Sequence, residues 1–317
     1  MAIVSFVSFL LFQFIGDPVE NMLGQEATPE EKQALRGELG LDRSIVVQFL
    51  AFAARALRGN LGVSYRQGRP VLDLLMERAP ATFELVATSA VLAIVLGVTL
   101  GVYIALRPDT RAAAAIQSVA LLATSLPSFV TGTLLIYGLA VWARALPAFG
   151  RGDTVAIGGW TTGFLTRSGL ESLVLPSVTL AFFQFALILR LTRAETRDVL
   201  REDYIKFARA RGLPPRALLF NHVLRNALLP LITVIGAQVG NLLAYSVITE
   251  TVFQWPGLSK LFIDAVQFAD IPVLGAYFIM VAAVFVTINL LVDLLSVALD
   301  PRLRDGAGGR ERLAAPA

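Results

Sequence analysis

The chain has 317 residues, 56% of them hydrophobic and 16% charged, with a net charge of +3 and a mean hydropathy of +0.67. Soluble domains carry about 25% charged residues, so folding in water would leave apolar surface uncovered, and the composition is that of an integral membrane protein. Cysteine is absent and histidine occurs once, at His222, which excludes a disulfide framework, a thiolate nucleophile and a Cys/His zinc site.

A membrane span needs about 20 mostly apolar residues. Residues 2–15 are apolar but short and lack the basic residues that precede a signal peptide. Segment 1–16 is therefore read as a first transmembrane helix cut short at its start. Residues 17–82 form a long loop whose helices are expected to rest on the outer membrane surface. Within it, Thr28-Pro29-Glu30-Glu31 reads as a capping box: Thr28 accepts from the third helical N–H and Glu31 reaches back, with Pro29 where no N–H is missed. Gly40 should end that helix. A second helix is expected over 45–57, closed by Gly59, and a third, short one over 71–78 leading into the next span.

Long apolar runs follow at 85–106, 112–143, 173–189, 228–248 and 273–299, the last interrupted by Asp293. They make a five-helix core over 83–303 and a total of six spans. Pro127, Pro176 and Pro230 permit kinks in them. Asp293 is expected to make a polar contact with a neighbouring helix. The Gly/Ala-rich tail 304–317 reads as disordered.

Lys and Arg set the orientation. Residues 190–225 hold nine, the turn 107–111 two and the tail after Asp300 four, whereas loops 144–172 and 253–272 hold three and one. The rich set marks the cytoplasmic face, with both termini on it, and makes 17–82 extracytoplasmic.

The cytoplasmic loop 193–229 carries a pattern of its own. Leu200, Tyr204, Phe207 and Arg211 recur at helical spacing, and Glu202 and Lys206 are spaced for an i,i+4 ion pair. Gly212 stands where a left-handed cap is wanted, and Pro214-Pro215 forbids continuation. A second helix runs from about Arg216 into the next span. A short helix carried on two membrane anchors suits force transmission; an ordinary basic loop fits the same residues.

The sequence Asp203-Tyr204-Ile205-Lys206-Phe207-Ala208-Arg209-Ala210-Arg211-Gly212-Leu213, continuing to His222-Val223-Leu224-Arg225-Asn226-Ala227-Leu228-Leu229-Pro230, resembles the EAA loop of ABC importer permeases. It is most similar to the dipeptide/oligopeptide/nickel branch. Further similarities are Gly16-Asp17-Pro18, Leu39-Gly40-Leu41-Asp42, Gly59-Asn60-Leu61-Gly62-Val63-Ser64, Leu175-Pro176-Ser177, Glu250-Thr251-Val252-Phe253, Trp255-Pro256-Gly257, Asp270-Ile271-Pro272 and Asp300-Pro301-Arg302. The long outer loop resembles that of the B-type subunit, which pairs with a C-type permease. Against the general pattern, Lys206 and Phe207 replace its first two letters while Ala208 and Gly212 are kept. His222 and Arg225 stand at its Ile and Pro positions, and Leu229-Pro230 falls five residues late.

The resemblance implies an all-α, six-span type I importer permease in the inner membrane. It implies a coupling helix around 204–216, extending to Arg216, that docks on separate cytoplasmic ATPase subunits. It also implies a heterodimer with the C-type permease, and solute such as a peptide delivered by an extracytoplasmic binding protein. Glu250, Phe253, Pro256, Gly257 and Asp270 become candidates for gating or for docking that protein. No nucleic acid, metal or cofactor is expected, ATP being bound by the partners.

The residues agree with that division of labour. Lys32, Lys206 and Lys260 follow Glu31, Ile205 and Ser259, so no Gly-Lys exists for a phosphate-cradling P-loop. An ion-coupled transporter or channel, the alternative, would carry several charges within its spans. A membrane enzyme would need a nucleophile or metal constellation. A helix-turn-helix DNA reader could be drawn from 193–225, but flanking spans pin it under the bilayer.

Overall fold

The computed structural model describes residue 6, residues 28–39 and residues 44–299. The expected first span, Gly40 and the tail lie outside the described residues.

Helix α1 (Pro29–Leu39) begins with the anticipated reciprocal cap: Glu31 N donates to Thr28 Oγ1 at 3.3 Å and Thr28 N to Glu31 Oε2 at 3.0 Å. Helix α2 (Ile45–Leu57) has the expected bounds, and Gly59 follows it at φ +80. The short helix expected over 71–78 is instead the start of a continuous 36-residue helix, α3 (Val71–Leu106), with Pro80 inside it. Proline in a helix forfeits one hydrogen bond, and here that loss does not end the helix.

The apolar run 112–143, expected as one span, is broken. Thr110 caps α4 (Arg111–Ser125) by accepting from Ala113 N at 3.2 Å, and α5 (Ser128–Leu135) continues into a π-type turn, Ile136–Trp142. The two stretches meet at 116°. Leu126, forced out of the helical region by the following Pro127, is extended at ψ 130. A two-stranded hairpin follows, β1 (Val155–Ile157) antiparallel to β2 (Trp160–Thr162), turning at Gly158 with φ +61. The remaining elements are helical: α6 (Arg167–Arg201), α7 (Asp203–Ala210), α8 (Pro215–Ala217) running through a π-type turn at Leu218–Leu224 into α9 (Arg225–Val252), then α10 (Leu258–Gln267) and α11 (Ile271–Leu299). Pro176 and Pro230 lie inside α6 and α9.

Among the described residues four helices are long and apolar enough to cross a membrane, or five if the bent pair counts as one. Asp293 is exposed on α11.

The chain divides into two compact units. Unit 1 comprises Met1–Glu84, Phe149–Leu173 and Glu250–Val286; unit 2 comprises Leu85–Ala148, Val174–Thr249 and Thr287–Ala317. In unit 1, Val71, Leu74, Leu75 and Ala79 of α3 pack with Leu258, Leu261 and Ala265 of α10 and with Val273, Leu274 and Tyr277 of α11. In unit 2, Ala93 and Ile104 of α3 pack with Ala113, Ala120 and Ala123 of α4 and with Phe185, Ile188 and Leu189 of α6. Small residues let those helices approach closely. A Cβ on Gly97 would lie 2.7 Å from Ile188 Cγ2, and one on Gly101 2.7 Å from Thr192 Cβ.

Candidate functional site

The first site is the helix–glycine–helix projection of unit 2. Glu202, extended at ψ 144, ends α6 and starts α7. Asp203 occupies the first turn of α7, where the helix dipole favours a carboxylate. Lys206 Nζ donates to Asp203 Oδ1 at 2.8 Å, so the ion pair is i,i+3 to Asp203 and replaces the expected pair with Glu202. The break at Glu202 is the reason, since the two residues no longer share one helix. Hydrogen bonding from Lys206, reinforced by its charge, holds the Asp203 carboxyl below the usual carboxylate range.

The far end closes as a Schellman motif. Gly212 N donates to Arg209 O at 3.0 Å and Leu213 N to Ala208 O at 3.3 Å, with Gly212 at φ +81. Leu213 packs on a small core of Ile205, Ala208, Leu218 and Val223 that fastens α7 to the returning chain. The face seated on the protein is therefore Ile205 and Ala208. Tyr204 and Phe207, expected on the apolar stripe, point outward at 43% and 63% exposure. Both assignments have helical spacing, and only tertiary contacts choose between them. Arg211 lies over Phe207, 5.8 Å from the ring centroid. Ala210, Arg216, Arg225 and Pro230 are exposed. The return contributes a tie back: Asn226 Nδ2 donates to Tyr204 Oη at 3.0 Å and to the His222 carbonyl at 2.7 Å.

The second cluster lies in unit 1. Glu250 is fully buried near the end of α9. Its carboxylate accepts from Ser259 N at 2.9 Å and Lys260 N at 3.2 Å, satisfying otherwise orphaned donors at the start of α10. It also accepts from Thr82 Oγ1 at 2.6 Å, and Thr82 Oγ1 in turn accepts from Leu258 N at 2.8 Å. A Cβ on Gly257 would run into that carboxylate and Thr82, so the position requires glycine. Trp255 is buried and its Nε1 donates to Ala81 O at 2.9 Å; Phe253 is buried, with its carbonyl taken by Gly150 N at 3.0 Å. Pro256 is half-buried.

Asp270, also buried, gathers the turn at the end of the Gly59–Ser64 motif: it accepts from Ser64 Oγ, from Tyr65 N at 3.1 Å and from Arg66 N at 3.4 Å. The Arg66 guanidinium stacks 3.4 Å above the Phe268 ring. Burial, with the neighbouring Asp270 charge, pushes the Tyr65 phenol up to about 12.

One ionic feature escaped sequence reasoning. Arg151 Nη2 meets Glu84 Oε2 at 2.7 Å with both side chains under a tenth exposed. Arg151 also donates to Thr161 O at 2.7 Å and Thr161 Oγ1 at 3.1 Å, while Gly163 N donates to Glu84 Oε1 at 3.1 Å. The pair thus pins the β1–β2 hairpin to α3. The partners are 67 residues apart in sequence, and neither carries a local motif.

Comparison with known proteins covers nearly the whole chain. Residues 97–305 match the model of the binding-protein-dependent transport system inner membrane component, and residues 1–86 match that of the N-terminal region of such components. The probable peptide ABC transporter permease protein y4tP of Sinorhizobium fredii is 39% identical over 96% of this chain and 95% of its own length. The dipeptide transport system permease protein DppB of Escherichia coli K12 is 36% identical over 94% of each chain, and so is the glutathione transport system permease protein GsiC of E. coli O6:H1. Inward-facing structures of the MetNI methionine ABC transporter share the fold at 17% identity, with TM-scores of 0.54 and 0.56, over 72% of this chain and 96% of theirs. On these matches the chain belongs to the family of binding-protein-dependent transport system inner membrane components.

Proposed function

We propose that the chain is the transmembrane permease subunit of an ATP-binding-cassette importer, forming half of the translocation pathway for peptides or similar small solutes handed over by a binding protein. The observation that carries this is end-to-end similarity to peptide permeases together with a capped projection whose aromatic face is left outward. ATP hydrolysis belongs to separate cytoplasmic subunits, and this chain needs no cofactor of its own. The second half of the pathway is a C-type permease.

In this reading α7 is the coupling helix. Tyr204, Phe207 and Arg211 meet the ATPase, Asp203 and Lys206 fix the first turn, and Ala208, Gly212 and Leu213 hold the cap. Ala210 and Arg216 flank the contact, and His222, Arg225, Asn226 and Pro230 return its motion to α9. Residues 193–229 then face the cytoplasm with both termini, and 17–82 face outward in a multi-pass inner-membrane chain. The joint made by Glu250, Phe253, Pro256, Gly257 and Asp270 passes binding-protein docking inward through buried contacts.

The test uses the full importer complex in proteoliposomes. A cysteine introduced at Phe207 into this cysteine-free chain should crosslink to the ATPase subunit, and the crosslink should change with nucleotide. ATP-dependent uptake of alanyl-alanine should require the binding protein. A complex with neither crosslink nor uptake sinks the proposal.

A further inference from the structure

Unit 2 holds a cluster of carboxamides between two membrane helices, Gln184 buried and Gln238 and Asn241 half-buried, that the coupling mechanism does not use. Gln184 of α6 is 2% exposed. Its Nε2 donates to the Gln238 backbone carbonyl at 2.9 Å and to Gln238 Oε1 at 3.2 Å, across to α9. Asn241 Nδ2 donates to the same Gln238 Oε1 at 3.3 Å. The backbone carbonyl can only accept, so it fixes which end of the Gln184 amide is nitrogen. The other end, Gln184 Oε1, is buried without a donor among the described residues. Gln184 and Gln238 contribute only carbon surface to a small cavity whose other walls are the apolar side chains of Ala90, Ala93, Ile94, Ile188, Ile235, Val239 and Leu242.

An orphaned acceptor in an apolar membrane interior is costly, and a leucine or methionine would fill the place without that cost. The arrangement makes physical sense if the acceptor finds its donor in another state of the protein. Among the described residues no charged group lines the cavity, so what enters is neutral where it touches these residues. A carboxamide offers one acceptor and one donor pair in a plane, which complements a peptide group's N–H and C=O.

We propose that Gln184, Gln238 and Asn241 form a subsite for the neutral peptide group of a transported solute, closed upon itself in this conformation. On opening, Gln184 Oε1 accepts the solute's amide N–H, and Nε2, leaving Gln238, donates to the solute's carbonyl. Such a subsite recognises the link between residues and ignores their side chains. This inference rests on the peptide-importer reading above.

The test compares alanyl-alanine with alanyl-lactate, an ester that lacks the N–H. The wild-type complex in proteoliposomes should take up the amide with about tenfold higher kcat/KM than the ester. Gln184→Met should lower amide uptake and bring the ratio close to one. A second readout does not depend on that variant: Ala93→Cys, in a chain without cysteine, should react with a water-soluble thiol reagent during ATP turnover. Alanyl-alanine should slow that reaction, and free alanine should not.

Unchanged discrimination in Gln184→Met overturns the subsite. So does thiol labelling of the Ala93→Cys variant that the dipeptide does not slow, in which case the cavity holds a resident water only. Failure of the wild-type complex to import either compound would overturn the importer reading itself, and the subsite with it.

Discussion

Substituting Arg151 by methionine keeps the bulk of the stem and removes every hydrogen bond of the guanidinium. Four are lost: two to Glu84 Oε2, one to Thr161 O and one to Thr161 Oγ1. Glu84 is then left buried with the Gly163 N–H as its one remaining donor among the described residues. Breaking one side of a buried ion pair costs about 3–5 kcal/mol, and at 8% and 4% exposure solvent gives little screening. Glu84→Gln alone should cost a similar amount, since it strands the guanidinium. The double variant Glu84→Gln/Arg151→Met removes both charges and leaves chiefly the Thr161 acceptors unpaired, about 1–3 kcal/mol. The two substitutions should therefore be strongly non-additive, with a coupling energy above about 2 kcal/mol. Denaturant unfolding in detergent, followed by tryptophan emission, reads this directly, because Trp160 stacks on Phe83 beside the pair at 6.2 Å. If Arg151→Met costs less than about 1 kcal/mol, or the double variant costs the sum of the singles, the buried ion pair does not hold the hairpin of unit 1 to α3.

Gly212→Val should strain the left-handed cap by about 1–2 kcal/mol and depress transport and ATPase coupling while the chain still inserts; Gly212→Asn should retain more of both. A Cβ at this position meets nothing within 4 Å, so equal losses for the two variants in an uptake assay would mean that φ is not the cause. Gly101→Leu should push α3 from α6 at Thr192 and cost about 1–3 kcal/mol of stability, measurable as a lowered midpoint of detergent unfolding. Tyr65 should keep its phenolic proton to about pH 12, against 10.0 for an ordinary tyrosine. The folded state then binds that proton more tightly than the unfolded chain, so stability from this group is complete below pH 10 and is lost as pH rises from 10 towards 12. A difference titration of phenolate absorbance between wild type and Tyr65→Phe should place the transition there, and a midpoint near the ordinary tyrosine value would contradict the burial.

Local chemistry was legible wherever the physics is local. The Thr28–Glu31 box, the left-handed stop at Gly212 and the bounds of α2 each depend on residues within a turn of one another. The family was legible from motifs in one chain for a related reason: the EAA-like loop is a contiguous segment. Two expectations for the projecting helix failed, one through a local break and one through a second segment. Lys206 pairs with Asp203 because the chain breaks at Glu202, and the aromatic stripe faces outward because Val223 and Leu218 offer a seat to Ile205.

Apolarity and the absence of cysteine by themselves determined that this is a membrane chain without disulfides or thiol chemistry, since composition fixes which solvent the surface must face. Tertiary structure alone decided how sharply the chain bends beside Pro127, the burial of Glu250 and Asp270, the Glu84–Arg151 bond and the Gln184–Gln238 clamp. Each of the last four joins groups distant along the chain, and a carboxylate or amide in the sequence carries no mark of the partner that folding will bring to it.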